Sequence, residues 1–372
     1  MESLIQREQT YLLDRKIVTV HSEDRDTTRF LASNHFDVRL PEDLTNVQSI
    51  RLVNSVVPSF QYVFSREYQN TKLKFEVVGN ISDSGNADEK TALSTPLVST
   101  IEIEEGFYTP QLLAIELENK LNQKVTDYLI DSGLSELTHE DVLPYSYFRV
   151  RYNEVQHKLI FGNVRDPFII FAEEKLEYEI SCGQKEVWGQ PEKWGLPYNL
   201  GLERKQYNAT AADSVHISYE QPSLWLSPTA DAELPKVWVV YAPHLLHIMG
   251  ENAIYMEIEG HNTIQELSPY PLKTNSATNV VYTGGQYAFA KIPVTQLSFS
   301  VVFDSRNAFL TNIAFYERPI ERMRNIRVKF RFHDGRLVDF KNINHSFTLE
   351  FTCLRDEINR VMSVRKHNTY GI

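Results

Sequence analysis

Asp334 and Gly335 separate two runs built largely of alternating apolar and polar residues. Ile326, Val328, Phe330 and Phe332 alternate with Arg327, Lys329 and Arg331 before the pair, and Leu337, Val338 and Phe340 follow it. Successive side chains of an extended chain point to opposite faces, so a period of two marks a half-buried strand. Asp-Gly adopts the positive φ that tight hairpin turns need, so this stretch reads as two strands folded back on each other.

The same period recurs along the chain. Phe36, Val38 and Leu40 alternate with Asp37 and Arg39, and Pro41 is expected to end that strand. Residues 47–57 are the next run, stopped by Pro58. Leu73, Phe75 and Val77 alternate with Lys72, Lys74 and Glu76, and residues 79–98 read as a polar loop. Further strands are expected at 147–152, 158–161, 167–172 and 236–241. Ile254, Met256 and Ile258 alternate with Tyr255, Glu257 and Glu259, and Leu297, Phe299, Val301 and Phe303 form another run. Phe347, Leu349, Phe351 and Cys353 form the last. The 19 Tyr and 20 Phe of the chain suit strands better than helices.

One helix interrupts this pattern. Thr109 suits an N-cap and Pro110 the first helical position. Leu113, Leu117, Leu121, Val125 and Tyr128 then form one stripe, so a helix over about 109–130 is expected to pack on a sheet. The fold class is therefore mainly β: an antiparallel β-sandwich, as two tandem jelly-roll-like domains with one inserted amphipathic helix. Residues 1–34 read as an N-terminal arm, 35–215 as the first domain, 216–354 as the second and 355–372 as a C-terminal tail. The irregular stretch 183–235, with Trp188, Trp194 and Trp225, carries the junction.

With 372 residues, the chain can bury a sizeable core without disulfides. Its 38 basic and 49 acidic residues leave a net charge of −11, which disfavours nucleic acid as a partner. Two cysteines, Cys182 and Cys353, make neither a four-thiolate zinc site nor a disulfide framework, so a reducing compartment is expected. The opening MESLIQREQTYLLDRK lacks the apolar core of a signal peptide, and no run of apolar residues is long enough for a transmembrane helix.

Several constellations could carry chemistry. His244 and His247, with Glu251 nearby, would share a helical face and could ligate zinc, but a third ligand is not evident. Glu257 and Glu259 lie on one strand face at a spacing that glycosidic acid–base chemistry permits; a solvated face is the plainer reading. Glu102, Glu104 and Glu105 invite the same plain reading. Gly284, Gly285 and Gln286 match the tripeptide of peptide-release factors but lie among strands, as a turn would. No phosphate-cradling loop, GxGxxG motif or GxSxG elbow is present. Trp188, Trp194, Trp225 and Trp238, with Tyr198, Tyr207 and Tyr219, could form a sugar platform or act as core and interface anchors. The basic stretch 317–336 places Arg327, Lys329 and Arg331 on one strand face. That face could meet an acidic protein or simply keep a sheet edge solvated.

Longer phrases carry a resemblance. SEDRDTTRF followed by NHFDVRLPEDLTNVQSIRLVNSVVP resembles the start of the minor capsid proteins of nucleocytoplasmic large DNA viruses, those of algae above all. YQNTKLKFEV, EGFYTPQLLAIELENKLN, NAIYMEIEGHNTIQELSPY, FAKIPV and RFHDGRLVDFKNINHSFTLEF continue it, from about Ser22 to about Leu354. The tryptophan-rich stretch has no match. The resemblance implies a non-enzymatic virion component of jelly-roll-type domains, assembled in the host cytoplasm. It implies the major capsid protein and other minor capsid proteins as partners, and a place compatible with an inner membrane. No cofactor, metal or small-molecule substrate is expected.

The expected partner contacts are Ser22, Glu23, Asp24, Arg25 and Asp26 in the arm, Arg327, Lys329 and Arg331 on the basic face, and Arg360, Arg365 and Lys366 in the tail. The alternatives are a glycan-binding, lectin-like sandwich using the tryptophans, and a carbohydrate-active enzyme using Glu257 and Glu259.

Overall fold

The structure, a computed structural model, describes residues 11–58, 62–78, 96–131, 144–174, 176–179, 194–212, 215–216, 225–226, 237–266, 286–294, 300–304 and 312–356. The strands in chain order begin with β1 (Tyr11–His21), β2 (His35–Pro58), β3 (Lys72–Val77) and β4 (Leu97–Glu102). Helix α1 (Pro110–Asp131) precedes β5 (Phe148–Asn153), β6 (Lys158–Asn163) and β7 (Phe168–Phe171). A single helical turn, α2 (Leu196–Asn199), leads to β8 (Gln206–Asn208), β9 (Thr210–Ala212), β10 (Val215–His216), β11 (Trp225–Leu226) and β12 (Val237–Tyr241). The chain continues through β13 (Ala253–Ile258), β14 (Ile264–Glu266), β15 (Gln286–Ala288) and β16 (Ala290–Pro293). It ends with β17 (Ser300–Asp304), β18 (Ile313–Arg331) and β19 (Ser346–Asp356). Every strand pairing among the described residues is antiparallel.

The chain divides into two compact units, one of residues 62–250 and one of residues 1–61 with 251–372. The first is inserted in the second along the sequence, whereas the tandem division at 215/216 expected from sequence cuts through the first. The reason is a long-range pairing: β2 bonds to β18 and β19, nearly three hundred residues away in the chain.

In the outer unit a seven-stranded sheet runs β1-β19-β2-β18-β13-β16, with β17 also on β2. Residues 1–34 are therefore not wholly an arm, because β1 pairs with β19 along all of its eleven residues. The core of this unit includes Phe36, Leu44, Ile50, Leu52, Met256, Ile258, Val328, Phe330, Phe347, Leu349 and Phe351, all essentially buried. Burial of one such side chain contributes roughly 1.5–3 kcal/mol.

Pro41 does not end its strand; β2 runs through it. Arg39 faces Asn325 but Leu44 faces Met323, so five steps of β2 match two of β18. Val47 then faces Ile320 and Ser49 faces Phe315, two steps against five. Pro41 lies in the first of these irregularities and Pro319 in the second, where a missing N–H breaks no ladder bond. The Asp334-Gly335 turn forms, with Gly335 at φ +85° and its N–H donating to the Phe332 carbonyl at 3.0 Å. Its second arm is not a regular strand: Leu337 makes one isolated bridge to Arg331.

In the inner unit two four-stranded sheets, β4-β3-β7-β8 and β5-β6-β12-β9, share one core with α1. Phe148 packs edge-on against Phe75 at 5.8 Å and Phe168 at 5.3 Å. Thr109 caps α1, its Oγ1 accepting the Leu112 N–H at 3.3 Å, and Leu113, Leu117, Leu121, Val125 and Leu129 are buried. The helix also shields the edge of β5. Asn122 accepts the Phe148 N–H at 3.0 Å and donates to the Phe148 carbonyl at 3.2 Å, while Glu118 accepts the Val150 N–H at 3.0 Å.

Candidate interaction surface

The segment Ser22–Asp24 is a 3-10 turn folded against the loop before β19. Ser22 is buried: its N–H donates to the His345 carbonyl at 2.9 Å and its Oγ accepts the His345 N–H at 2.8 Å. It is thus a structural pin and not a partner contact. The Arg25 guanidinium faces inward on its own loop, donating to the carbonyls of Ser22 at 2.7 Å, Phe30 at 3.2 Å and Leu31 at 3.0 Å. Asp26 accepts from the Thr28 hydroxyl at 2.6 Å and the Thr28 N–H at 3.0 Å, and these bonds lower its pKa. Glu23, Asp24 and Asp26 are exposed, so the charge this turn offers to a partner is acidic.

The basic face of β18 is largely neutralised from within. Register sets Asp37 opposite Arg327 and Glu257 opposite Lys329. Arg327 binds Asp37 at 2.5 Å and Glu259 at 3.1 Å, and its hydrogen bond holds the Asp37 carboxyl below its ordinary pKa. Lys329 reaches Glu257 at 3.3 Å, and Asp43 takes Arg324 at 2.9 Å together with Arg322. Arg331 is 2% exposed and bonds both Glu257 and Glu266, with the Tyr287 carbonyl at 3.2 Å. It cannot serve as a surface contact, because the pairing of β13 with β18 and the approach of β14 enclose it. His333 Nδ1 meets the other oxygen of Glu266 at 2.9 Å. Arg327 and Lys329 retain exposure, while Arg360, Arg365 and Lys366 lie outside the described residues.

The candidate catalytic groups do not assemble. Glu257 and Glu259 are each held in ion pairs, Glu257 by Lys329 and Arg331 and Glu259 by Arg327. Glu102 and Glu105 both meet Arg66, at 2.7 Å and 3.2 Å, while the Glu104 N–H donates to Glu116. His244 and His247 sit on a loop rather than a helix. Its backbone is tied to Gly201 and Asn199, and Gly201, at φ +75°, leaves no room for a Cβ beside the His244 carbonyl. His244 pairs with Glu203 at 3.3 Å and His247 packs on Tyr198, while Glu251 is 3.7 Å from Arg336. Among the described residues no three His, Cys, Asp or Glu side chains are grouped to hold a metal ion. Gly284 and Gly285 fall outside the described residues, and Gln286 opens β15.

The tryptophans do not form one platform either. Trp194 and Tyr198 meet edge-on at 5.5 Å, but Trp238 and Tyr207 pack against the inner core. Trp225 lies in β11, and Trp188 and Tyr219 lie outside the described residues, as does Cys182. Cys353 is a buried free thiol. No helix among the described residues is long and apolar enough to cross a membrane.

These features define a mainly β protein of antiparallel sheets, in which the charged residues on the β18 face are held in ion pairs. The chain belongs to the family of unknown function DUF5901, whose model matches residues 5–318. No curated protein matches it. Among solved structures, the crystal structure of selenomethionine-labelled mavirus penton protein is similar at 10% identity and a TM-score of 0.41, covering 92% of this chain and 99% of that one. A chain of the Sputnik virophage, solved by cryo-EM at 3.5 Å, gives 10% identity and a TM-score of 0.41 over 92% of this chain and 98% of that one. Likenesses this loose carry no role over to this chain.

Proposed function

We propose that this chain is a structural minor capsid protein of a large icosahedral DNA virus, joining or supporting capsomers of the major capsid protein and performing no catalysis. The observation that carries this reading joins sequence to fold. The phrases at 34–58, 252–266 and 331–351, which resemble the capsid family, supply most of β2, β13 and β19 and the end of β18, strands of one sheet. The phrases at 68–77 and 105–122 supply β3 and the first turns of α1 in the inner unit, so the likeness falls on regular elements of both units. Both units would then be variants of the jelly roll, and the protein would reside in the virion after assembly in the host cytoplasm.

Contacts with the major capsid protein and other minor capsid proteins would come from the acidic turn Glu23, Asp24 and Asp26, from Arg327 and Lys329, and from the tail with Arg360, Arg365 and Lys366. Mass spectrometry of nuclease- and salt-washed virions tests the role. The expected result is a fixed stoichiometry to the major capsid protein. Absence from washed particles would overturn it. The tail is tested by deleting 357–372, which leaves β1 and β19 whole and should reduce incorporation.

A further inference from the structure

The edge strands of this protein are treated unequally. The outer backbone of β5 is covered by Asn122 and Glu118, and β16 has only four residues. β1 is eleven residues long, pairs with β19 without a register shift and contains no proline. Among the described residues nothing pairs with its other edge. Alternate N–H and C=O groups of such a strand point outward, which makes it a template for another strand. Leu13 and Ile17 on this strand are 61% and 62% exposed.

We propose that β1 is a homodimer interface, in which the β1 strands of two copies pair antiparallel about a two-fold axis at Arg15. Residues directly opposite in such a pair lie on the same face, so the axis must pass through a residue. At Arg15 it sets Asp14 opposite Lys16 of the second copy, twice, and Leu13 opposite Ile17, twice. An axis at Asp14 or Lys16 puts like charges face to face on the half-buried side and loses the Asp14–Lys16 pairs. One at Leu13 or Ile17 sets a charge against an apolar residue. The facing Arg15 side chains lie on the exposed side, where both extend into water.

The neighbouring groups extend this complementarity. Lys16 binds Glu42 at 2.5 Å and Asp14 binds Arg355 at 2.7 Å within one copy. Pairing creates the alternating row Glu42, Lys16, then Asp14 and Arg355 of the second copy. The pairing is independent of the capsid role: a monomer could still be a virion component, and a dimer need not be one.

Sedimentation of the full-length chain over a concentration series tests the interface, with circular dichroism as the check of folding. The wild type should dimerise. Asp14→Lys and Lys16→Asp should each weaken self-association roughly tenfold or more, because every cross-pair becomes repulsive. Mixing the two variants should restore dimers, since each then faces its opposite charge. Should Asp14→Lys fail to fold, cysteine cross-linking decides the register. Arg15→Cys should form an intermolecular disulfide quickly under mild oxidation, and Leu13→Cys should not. A wild type monomeric throughout, dimers indifferent to Lys16→Asp, or equal cross-linking of the two cysteine variants would overturn the proposal.

Discussion

His345 shows how much one buried side chain can decide. Its Nε2 donates to the Ser33 carbonyl at 2.8 Å, and its ring lies among Phe340 at 4.5 Å, Phe330 at 4.7 Å and Phe36 at 6.0 Å. Burial lowers its pKa to about 4; the Ser33 hydrogen bond opposes this and nearby Arg25 reinforces it. The unfolded chain, with an ordinary histidine, binds this proton first as pH falls. Stability is therefore complete above pH ~6.5 and declines towards pH ~4, by about 3 kcal/mol at ~1.4 kcal/mol per unit. Denaturant titrations at neutral and acid pH should show this loss in wild type and a smaller one in His345→Asn. A clue to the site stands in the sequence, because His345 occupies the same alternate positions as Phe347, Leu349 and Phe351. Its partners Ser22 and Ser33 are over three hundred residues away, and no local pattern points to them.

At the scale of elements, α1 was the most legible part of the chain. Cap, proline and leucine stripe all act within one helix, so local spacing suffices to define it. Leu117→Ala should lower the stability of the inner unit by roughly 2–5 kcal/mol, measured by thermal melting. Leu112→Ala, on the exposed face of the same helix, should change it by no more than about 0.5 kcal/mol. Equal effects would contradict the packed stripe. β2 was less legible, because whether Pro41 ends a strand or sits in a bulge depends on the register of β18. The basic face of β18 likewise reads as a free patch until Asp37, Asp43 and Glu257 are brought alongside it.

For the whole molecule, this division of the chain implies that residues 62–250 carry a complete core. Expressed alone, this segment should melt cooperatively with the far-UV spectrum of a β-rich protein, since two sheets and α1 already bury its apolar surface. A non-cooperative product would show that the inner unit depends on the outer one. The segment 35–215, which the tandem reading would choose, should fold poorly: it includes β2 without β18 or β19 and lacks β12 of the inner unit.

The order of side chains along the chain determined the local conformations. Period-two runs made strands, a four-residue stripe made a helix, and Asp-Gly made a turn, because each signal acts between near neighbours. The tertiary structure alone decided which strands pair, which charges are buried and where the units divide. Those outcomes depend on contacts between residues tens to hundreds of positions apart. The buried Arg331 and the half-exposed Lys329 look alike as members of one alternating run. Glu257 reaches both; the buried Glu266 of β14, which binds Arg331 alone of the two, separates them.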